Sequence, residues 1–295
     1  MASSTLASRA LGWQLKKLRE RAGLSKFAVA RAAETSSQTY GRLEDGQKHN
    51  TTTLVMNAIC DKLKVSNEER QKLLELADEV RRDRKSEGGW WRPALGNLRN
   101  NFEYFLQLEE SAKKITHLHL NLVPGLLQTL DYRRQLAWAE FPQSPSDELE
   151  TLVDLVRQRQ ERLLDPDFEF EAFVSEVVLR RPIGGPGVME DQLRHLAEVV
   201  DLPSVNLRIV PDNARNPLGF ITGTFSYMTF PILPNTKLTP PPVVYVENYV
   251  GALYLERQVE IDKYRDTIPV LRQVALDTDA TRNLILATIR EYSSS

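Results

Sequence analysis

The fold of the amino-terminal region is decided by residues 15–46, LKKLRERAGLSKFAVARAAETSSQTYGRLEDG. Apolar residues recur at helical spacing over its first positions, and the glycine that follows them is a typical helix end. Ser25 and Ser36 each precede another helical pattern and are favourable N-cap residues. The stretch therefore predicts a helix, a short second helix over about 26–32, and a third helix over about 36–45.

Two further helical patterns follow, over about 51–63 and about 67–84, so the region is predicted to be an all-α bundle. A short helix, a turn and a capped helix within a basic bundle are typical of the helix-turn-helix arrangement. In that arrangement Ala30 is the small residue at which the two helices touch. The later helix of the pair enters the major groove of DNA, which is wide enough to admit it.

This interpretation assigns DNA contacts to individual residues. Gln pairs with adenine and Arg with guanine, so the outward positions of the third helix are expected to contact bases. These positions are Ser37, Gln38, Thr39 and Arg42. Flanking positions are expected to contact phosphates and so to orient the domain without reading sequence. They are Lys26, Arg31, Ser36 and Lys48. The pattern alone leaves an ordinary helical bundle with surface Lys and Arg open.

The charge distribution agrees with an anion-binding module. The first 50 residues contain nine basic and four acidic side chains, a charge of +5 that leaves −7 for the rest of a chain whose total is −2. Such asymmetry is typical of a nucleic-acid-binding end joined to an acidic body. Cys60 is the only cysteine, which excludes an intrachain disulfide and fits a reducing compartment. With no recognisable signal peptide or membrane span, we expect a cytoplasmic, nucleoid-associated protein.

The same stretch resembles the Xre-type, lambda-repressor-like DNA-binding module. The resemblance is carried by Leu-x-x-Leu-Arg, then Gly-Leu-Ser, then Ala, and then Ser-x-x-x-x-x-Arg-Leu-Glu-x-Gly. Two positions depart from that pattern, because Glu34 stands where the turn usually has Gly and Thr35 replaces the usual Val. A left-handed backbone is unfavourable for Glu, and its charge would lie near DNA.

A change of composition near residue 85 predicts a domain boundary. The letters SEGGWWRP interrupt the helical pattern, so we predict a DNA-binding domain over 1–84, a linker over 85–97 and a second domain over 98–295. Trp90 and Trp91 either anchor the linker on the second domain or form part of a docking surface for a partner.

The second domain is predicted to have an α+β fold with a mixed sheet of about five strands. Alternating apolar and polar residues in ITHLHLNL are typical of a half-buried strand, and four other segments have strand character. A Val-Pro-Gly corner follows, and it contains no nucleophile. Thr129 or Asp131 is expected to cap the next helix. Leu126, Leu127 and Tyr132 are candidates for part of a partner groove.

Motifs along nearly the whole chain resemble one family. They include LVPGLLQTLDYRRQL, FVSEVVLRRPIGG and VVYVEN. The family is that of actinobacterial Xre-type regulators with an antitoxin-like carboxy-terminal domain, the WhiJ-type group. The resemblance implies a cytoplasmic transcription regulator whose carboxy-terminal domain binds a small partner protein encoded nearby. The family's usual Pro-Glu-Tyr-Ala or Pro-Asp-Tyr-Ala is Leu-Asp-Tyr-Arg here, over residues 130–133.

Few residues of the second domain suggest chemistry. His117 and His119 alternate on one predicted strand, but a metal site needs further ligands, so we predict no metal and no cofactor. Glu176 and Glu247 lie at strand ends, where paired carboxylates act in acid-base catalysis. We nevertheless expect a binding protein rather than an enzyme, because no nucleophile motif and no phosphate loop are present.

Taken together, these features predict a sequence-specific, dimeric transcription regulator. Its DNA partner is expected to be an operator with half-sites about one helical turn apart. The carboxy-terminal domain is expected to form the homodimer and to bind a small partner protein. The alternative is a regulator whose carboxy-terminal domain senses a small molecule in a pocket lined by aromatic residues. An enzyme using Glu176 and Glu247 is the least favoured hypothesis.

Overall fold

The structure is a computed structural model and describes residues 6–47, 51–83, 102–249 and 251–293. These residues form two compact units. The first unit contains the described residues up to Asp83 and, in addition, the segment 230–241. The second contains the other described residues. Within these ranges no helix is both long enough and apolar enough to cross a membrane.

The amino-terminal part of the first unit is entirely helical, as predicted. Its helices are α1 (Leu6–Arg21), α2 (Lys26–Ala32), α3 (Ser37–Glu44), α4 (Thr53–Leu63) and α5 (Asn67–Asp83). The predicted caps are in place, because the hydroxyls of Ser25 and Ser36 accept the backbone amides three residues further on. Gly23 has a φ of 65° just after α1, a conformation that glycine adopts without a steric penalty. The end of α1 and the starts of α2 and α3 therefore lie where the local sequence favours them.

The core of the first unit holds α2 and α3 against α1. Val29, Ala30, Tyr40 and Leu43 are buried and form the inward face of the two short helices, with Ala30 in the core as predicted. Gly12 of α1 lies against the end of α3, where a Cβ atom would come within 2.4 Å of the Glu44 carbonyl oxygen. Because no other residue fits there, Gly12 permits a backbone contact that fixes the position of α3.

The segment 230–241 also belongs to the first unit, although its neighbours in sequence belong to the second. We call it the strap. Leu233 is buried in the core of the helical bundle. The guanidinium group of Arg9 lies 5.0 Å from the centre of the Phe230 ring and donates a hydrogen bond to the Pro241 carbonyl oxygen. The strap was not anticipated, because PILPNTKLTPPP has only the features of a stiff loop.

The second unit mixes helices and strands. Its helices are α6 (Phe102–Ser111), α7 (Leu130–Glu140), α8 (Ser146–Gln160), α9 (Pro186–Val199), α10 (Leu218–Ile221), α11 (Gln258–Val274) and α12 (Thr278–Ser293). Its strands are β1 (Lys114–His119), β2 (Glu169–Ser175), β3 (Val205–Val210), β4 (Phe225–Thr229), β5 (Val243–Asn248) and β6 (Gly251–Leu255). Short 3-10 turns cover Gly125–Leu127, Glu161–Leu164 and Glu176–Arg180.

The strands form one mixed sheet in the order β3-β2-β1-β4-β5-β6. Strand β1 pairs parallel with β2, and β2 pairs parallel with β3. The pairs β1–β4, β4–β5 and β5–β6 are antiparallel. The predicted α+β fold with a mixed sheet is therefore confirmed, with six strands among the described residues in place of about five. The extra strand is β6, which lies at the edge of the sheet beside β5 and is mostly exposed or half-buried, so its sequence lacks the pattern of a buried strand.

The strand order creates a crevice at one edge of the sheet. From β1 the chain adds β2 and β3 on one side and β4, β5 and β6 on the other. Strands β1, β2, β3 and β5 run in the same direction, so their carboxyl ends lie at the same edge. In open α/β sheets a ligand commonly binds where the strand order reverses, outside these carboxyl ends. A binding site is therefore expected in the crevice beside β1.

Both faces of the sheet are covered. On one face, Leu118, Phe173 and Phe225 pack against residues of α11. On the other face the Phe105 ring of α6 lies 4.5 Å, centre to centre, from the Tyr245 ring of β5. Because β1 and β4 are enclosed on both sides, the polar side chains of Thr116, His117 and Ser226 are buried and must find partners within the protein.

Candidate functional site

The outer face of α3 presents the predicted base-contacting residues. Ser37, Gln38 and Arg42 are exposed, and Thr39 is half-buried. Gln38 and Arg42 are four positions apart and therefore lie on the same side of the helix. The opposite side is anchored by the buried Tyr40 and Leu43. The first unit thus holds one rigid helix with a polar face directed outward.

The predicted phosphate-contacting residues differ in their surroundings. Arg31 is exposed on α2, and Ser36 is exposed at the start of α3. The Ser36 hydroxyl donates a hydrogen bond to Thr39 Oγ1 at 2.9 Å, while it accepts the Thr39 amide. Lys26 is half-buried, with its Nζ 3.6 Å from Glu44 Oε2. Lys48 lies outside the described residues, so its predicted contact stays a prediction.

A buried ion pair fixes the end of α3. Arg19 of α1 donates from Nε to Glu44 Oε1 at 2.5 Å and from Nη2 to Glu44 Oε2 at 3.1 Å. The Glu44 side chain is fully shielded from solvent. Neither this pair nor Gly12 was predicted as important for the DNA-binding surface. The Arg-Leu-Glu motif was the available signal, since a charged residue in the middle of an apolar face needs a partner.

The turn between α2 and α3 has the strain that its sequence predicts. Glu34 has a φ of 50°, which lies in the left-handed region. The Thr35 amide donates to the Ala30 carbonyl oxygen at 2.9 Å and closes the end of α2. The expectation that Glu34 occupies a position suited to glycine is therefore confirmed.

The Val-Pro-Gly corner is a structural joint in the second unit. Its 3-10 turn, Gly125–Leu127, leads to Thr129, whose hydroxyl accepts the Tyr132 amide and caps α7 as predicted. Leu126, Leu127 and Tyr132 are buried in the core of this unit, so they do not form the exposed partner groove that was predicted. Trp90 and Trp91, the other residues of the predicted partner surface, lie outside the described residues.

A cavity of about 580 Å³ opens at the crevice beside β1. It is bordered by the carboxyl ends of β1 and β5, the start of β4, the Val-Pro-Gly corner, and helices α6, α7 and α8. Most of its walls are apolar. The apolar lining residues are Phe102, Phe105, Leu122, Val123, Leu136, Phe141, Leu152, Leu155, Val156 and Phe225. A cavity of this size suits a small organic molecule.

Two histidines lie side by side in this cavity. His117 Nδ1 is 2.9 Å from His119 Nε2 and 3.3 Å from Ser226 Oγ. Burial lowers the pKa of His117 well below its usual value, and the neighbouring His119 and Arg159 lower it further. Burial and Arg159 lower the pKa of His119 to about 4. Both imidazoles are therefore neutral near pH 7, and one ring nitrogen donates to the other.

A balanced ion pair lies between α6 and α8 beside the histidines. Arg159 donates to Glu109 Oε1 at 2.6 Å and to Oε2 at 2.8 Å, and both side chains are buried. The guanidinium group also lies 5.6 Å from the ring centres of Phe102 and Phe105. The charge of Arg159 is therefore compensated before any ligand enters.

The polar lining includes buried acceptor or donor atoms of a histidine and a glutamine that have no hydrogen-bond partner within the described part of the chain. They are Nε2 of His117 and Oε1 of Gln128. The Gln128 amide nitrogen is committed, since it donates to the Val123 carbonyl oxygen at 2.7 Å. A buried polar atom without a partner costs about 1–3 kcal/mol, so these two atoms favour a ligand that supplies one.

The histidine pair and the two glutamates considered for catalysis are placed differently in the structure. His117 and His119 are brought together, yet no group of three or more His, Cys, Asp or Glu suited to a metal ion occurs among the described residues. Glu247 lines the cavity, whereas Glu176 does not. Strands β2 and β5 are three places, or about 14 Å, apart in the sheet, and Glu176 lies in the 3-10 turn after β2 whereas Glu247 lies in β5. Glu176 is instead paired with Arg180 at 2.6 Å.

Comparisons with known families assign both units. Residues 10–73 match the sequence model described as "Helix-turn-helix domain". Residues 102–287 match the model described as "Domain of unknown function (DUF5753)". Searches of curated proteins and of solved structures gave no match. The first unit is therefore the type of domain by which transcription regulators bind DNA. Since the second match covers more than half of the sequence, the chain belongs to the DUF5753 family, here joined to an amino-terminal helix-turn-helix domain.

Proposed function

We propose that this protein is a dimeric, sequence-specific transcription regulator that contacts bases through the outer face of α3. The observation that carries the proposal is the exposed pair Gln38 and Arg42 on one side of a helix whose other side is locked in the core. Side chains of these two types make paired hydrogen bonds to adenine and guanine in the major groove. A rigid helix keeps them in register with the bases.

Neighbouring residues support the same orientation. Arg31 is exposed on α2, as expected of a residue that contacts a phosphate. Lys26 has a second role, because its ammonium group lies near both Glu44 and Asp45. It therefore reduces the negative charge at the end of α3, which would otherwise repel the DNA backbone.

The proposal is tested with the purified full chain and fragments of the host's genomic DNA, from which the bound sequence is recovered. The double variant Gln38→Ala with Arg42→Ala should bind that sequence at least about 100-fold more weakly, since each paired contact is worth roughly 1–3 kcal/mol. The matched control is Gln71→Ala with Arg82→Ala, which removes the same side-chain types from exposed positions of α5. Equal loss in the control, or unchanged binding in the first variant, would contradict the role of α3.

The dimer is tested separately. Two helix-turn-helix domains related by a twofold axis bind half-sites about 34 Å apart. Sedimentation of the full chain should give a dimer, and footprinting should show two protected half-sites one helical turn apart. A monomer that protects a single half-site would exclude the dimeric form of the proposal while leaving the role of α3 intact.

The second unit is proposed to receive a signal. Of the two inputs considered, a partner protein and a small molecule, the cavity favours the small molecule, because three of the residues predicted for a partner groove are buried. The strap supports a regulatory link, since it joins β4 to β5, and both of these strands contribute lining residues to the cavity. A shift between the two strands would therefore act on a segment that is packed in the helical unit.

Three further parts of the proposal rest on the sequence. The narrower assignment, to actinobacterial Xre-type regulators of the WhiJ-type group, rests on the shared motifs. Action in the cytoplasm at the nucleoid follows from the proposed DNA partner. We also propose action by binding rather than catalysis, which is supported by the separation of Glu176 and Glu247 in the sheet.

A further inference from the structure

We infer that the cavity beside β1 binds an uncharged, largely apolar small molecule that donates a hydrogen bond to Gln128. This inference deepens the proposed sensing role of the second unit. It does not depend on DNA binding by the first unit. Its three supports are the charge, the hydrogen-bonding atoms and the walls of the cavity.

The charge of the lining disfavours an anion. Arg159 is held by both oxygens of Glu109, and Arg133 lies 3.6 Å from Glu140. Each lining arginine within the described ranges thus lies against a carboxylate. Glu247 adds a negative group at the exposed rim. An anionic ligand would lose its hydration without gaining an uncompensated positive charge, which is an unfavourable exchange.

The inner atoms favour a neutral ligand with a donor. Gln128 Oε1 can only accept a hydrogen bond, and its side chain is held by the bond to Val123. His117 Nε2 accepts or donates according to which nitrogen carries the proton, since its Nδ1 faces His119 and Ser226. A hydroxyl, an amide or an N–H group meets the requirement of Gln128. At Gln128 and His117 an ammonium group would bury a full charge against neutral partners, because the carboxylate of Glu247 lies at the exposed rim.

The walls supply the remaining affinity and specificity. Phe102, Phe105 and Tyr245 form an aromatic side, and Leu152, Leu155 and Val156 form an aliphatic side. Burial of apolar surface against these walls favours association. A flat or branched hydrocarbon body with one polar group therefore fits both the shape and the chemistry of the site.

The test uses a matched pair of fluorescent probes. N-phenyl-1-naphthylamine is uncharged and has one N–H donor, whereas 8-anilinonaphthalene-1-sulfonate has the same rings with an added negative charge. The full chain is titrated with each probe in the absence of DNA. The neutral probe should bind one saturable site with a Kd at least about tenfold lower than that of the sulfonate. A third compound, 1-phenoxynaphthalene, replaces the N–H by oxygen and should compete about tenfold more weakly, because Gln128 would be left unpaired.

Two variants locate the binding. Leu136→Trp fills the cavity from α7, and Asn248→Trp narrows its rim from β5. Each should weaken binding of the neutral probe at least about tenfold. The matched control is Ala139→Trp, which adds the same ring to an exposed position of α7 away from the cavity and should leave the Kd unchanged. Circular dichroism verifies the fold of each variant, and the Asn248 variant carries the test if the Leu136 variant does not fold.

The possible outcomes decide the inference. Saturable binding of the neutral probe that both cavity variants weaken and the control retains supports it. Equal or tighter binding of the sulfonate overturns the charge argument. Absence of saturable binding, or binding unaffected by both cavity variants, overturns the site. Because DNA is absent from these titrations, such a failure is distinct from a failure of α3 to recognise an operator.

Discussion

The histidine pair predicts a loss of stability in mild acid, which His119→Gln should reduce. Between pH 6.5 and about 4 the unfolded chain binds a proton at His119 that the folded protein does not. Folding stability therefore decreases as the pH falls through this window, and it is fully retained above pH 6.5. The depressed pKa of His117 acts in the same direction.

The size of the stability loss follows from how far the pKa of His119 lies below its ordinary value. Between pH 6.5 and pH 5 the unfolded state is protonated and the folded state is not, and each pH unit is worth 1.36 kcal/mol. The loss at His119 is therefore up to about 2 kcal/mol at pH 5. Because this side chain is half-buried and partly screened by solvent, we expect about 1–2 kcal/mol.

The assay compares urea unfolding of the wild type and of His119→Gln at pH 7.5 and at pH 5. The Gln amide takes the place of Nε2 and keeps a hydrogen-bonding group near His117 Nδ1, but it does not titrate. The free energy of unfolding of the wild type should fall between the two pH values by about 1–2 kcal/mol more than that of the variant. Carboxylates that titrate in both proteins cancel in this difference.

Two results would refute the reasoning. Equal pH dependence in the wild type and the variant would mean that His119 has an ordinary pKa in the folded state. If the wild type instead gained stability over the variant when the pH was lowered from 7.5 to 5, the folded state would favour a charged histidine pair. Two-dimensional NMR of the imidazole signals gives an independent measurement of the same pKa.

Three further predictions concern stability and DNA affinity. Glu34→Gly should raise the free energy of unfolding by about 1 kcal/mol, because it relieves the left-handed strain. Glu34→Gln removes the negative charge but keeps the left-handed strain, so it should strengthen DNA binding without raising the free energy of unfolding. An equal change in the free energy of unfolding for the Gly and Gln variants would refute the strain. Glu109→Gln should lower the free energy of unfolding by about 3–5 kcal/mol, since it leaves the Arg159 charge uncompensated in the interior. Urea unfolding measures this loss, and a loss below about 1 kcal/mol would contradict the prediction. Leu233→Ala should destabilise the helical unit by about 2–5 kcal/mol in thermal melts, and no change would show that the strap is not anchored there.

Local sequence predicted the helical unit well, because its signals act over a few residues. Ser25 and Ser36 cap the helices that they precede, and Glu34 takes the strained backbone that its position in the turn demands. The outward residues of α3 followed from the same helical period. Gly12 was missed, because its contact with the Glu44 carbonyl depends on how α1 and α3 cross.

The sequence did not predict which residues come together in the cavity, because they are far apart along the chain. The alternation in β1 placed His117 and His119 on one face, but Ser226 and Gln128 come from distant parts of the chain. Their approach depends on the pairing of β1 with β4 and on the fold of the Val-Pro-Gly corner. The local sequences around Arg159 and Glu109 likewise do not indicate that these two residues form a buried ion pair.

The sequence by itself therefore determined the helix boundaries, the caps, the strained turn and the polar face of α3. These depend on backbone preferences and on periodicity within single elements. Only the tertiary structure decided that the strap packs in the helical unit, that Glu176 and Glu247 are apart, and that Leu126, Leu127 and Tyr132 are buried. The physical reason is that strand order and long-range packing select among many arrangements that share the same local patterns.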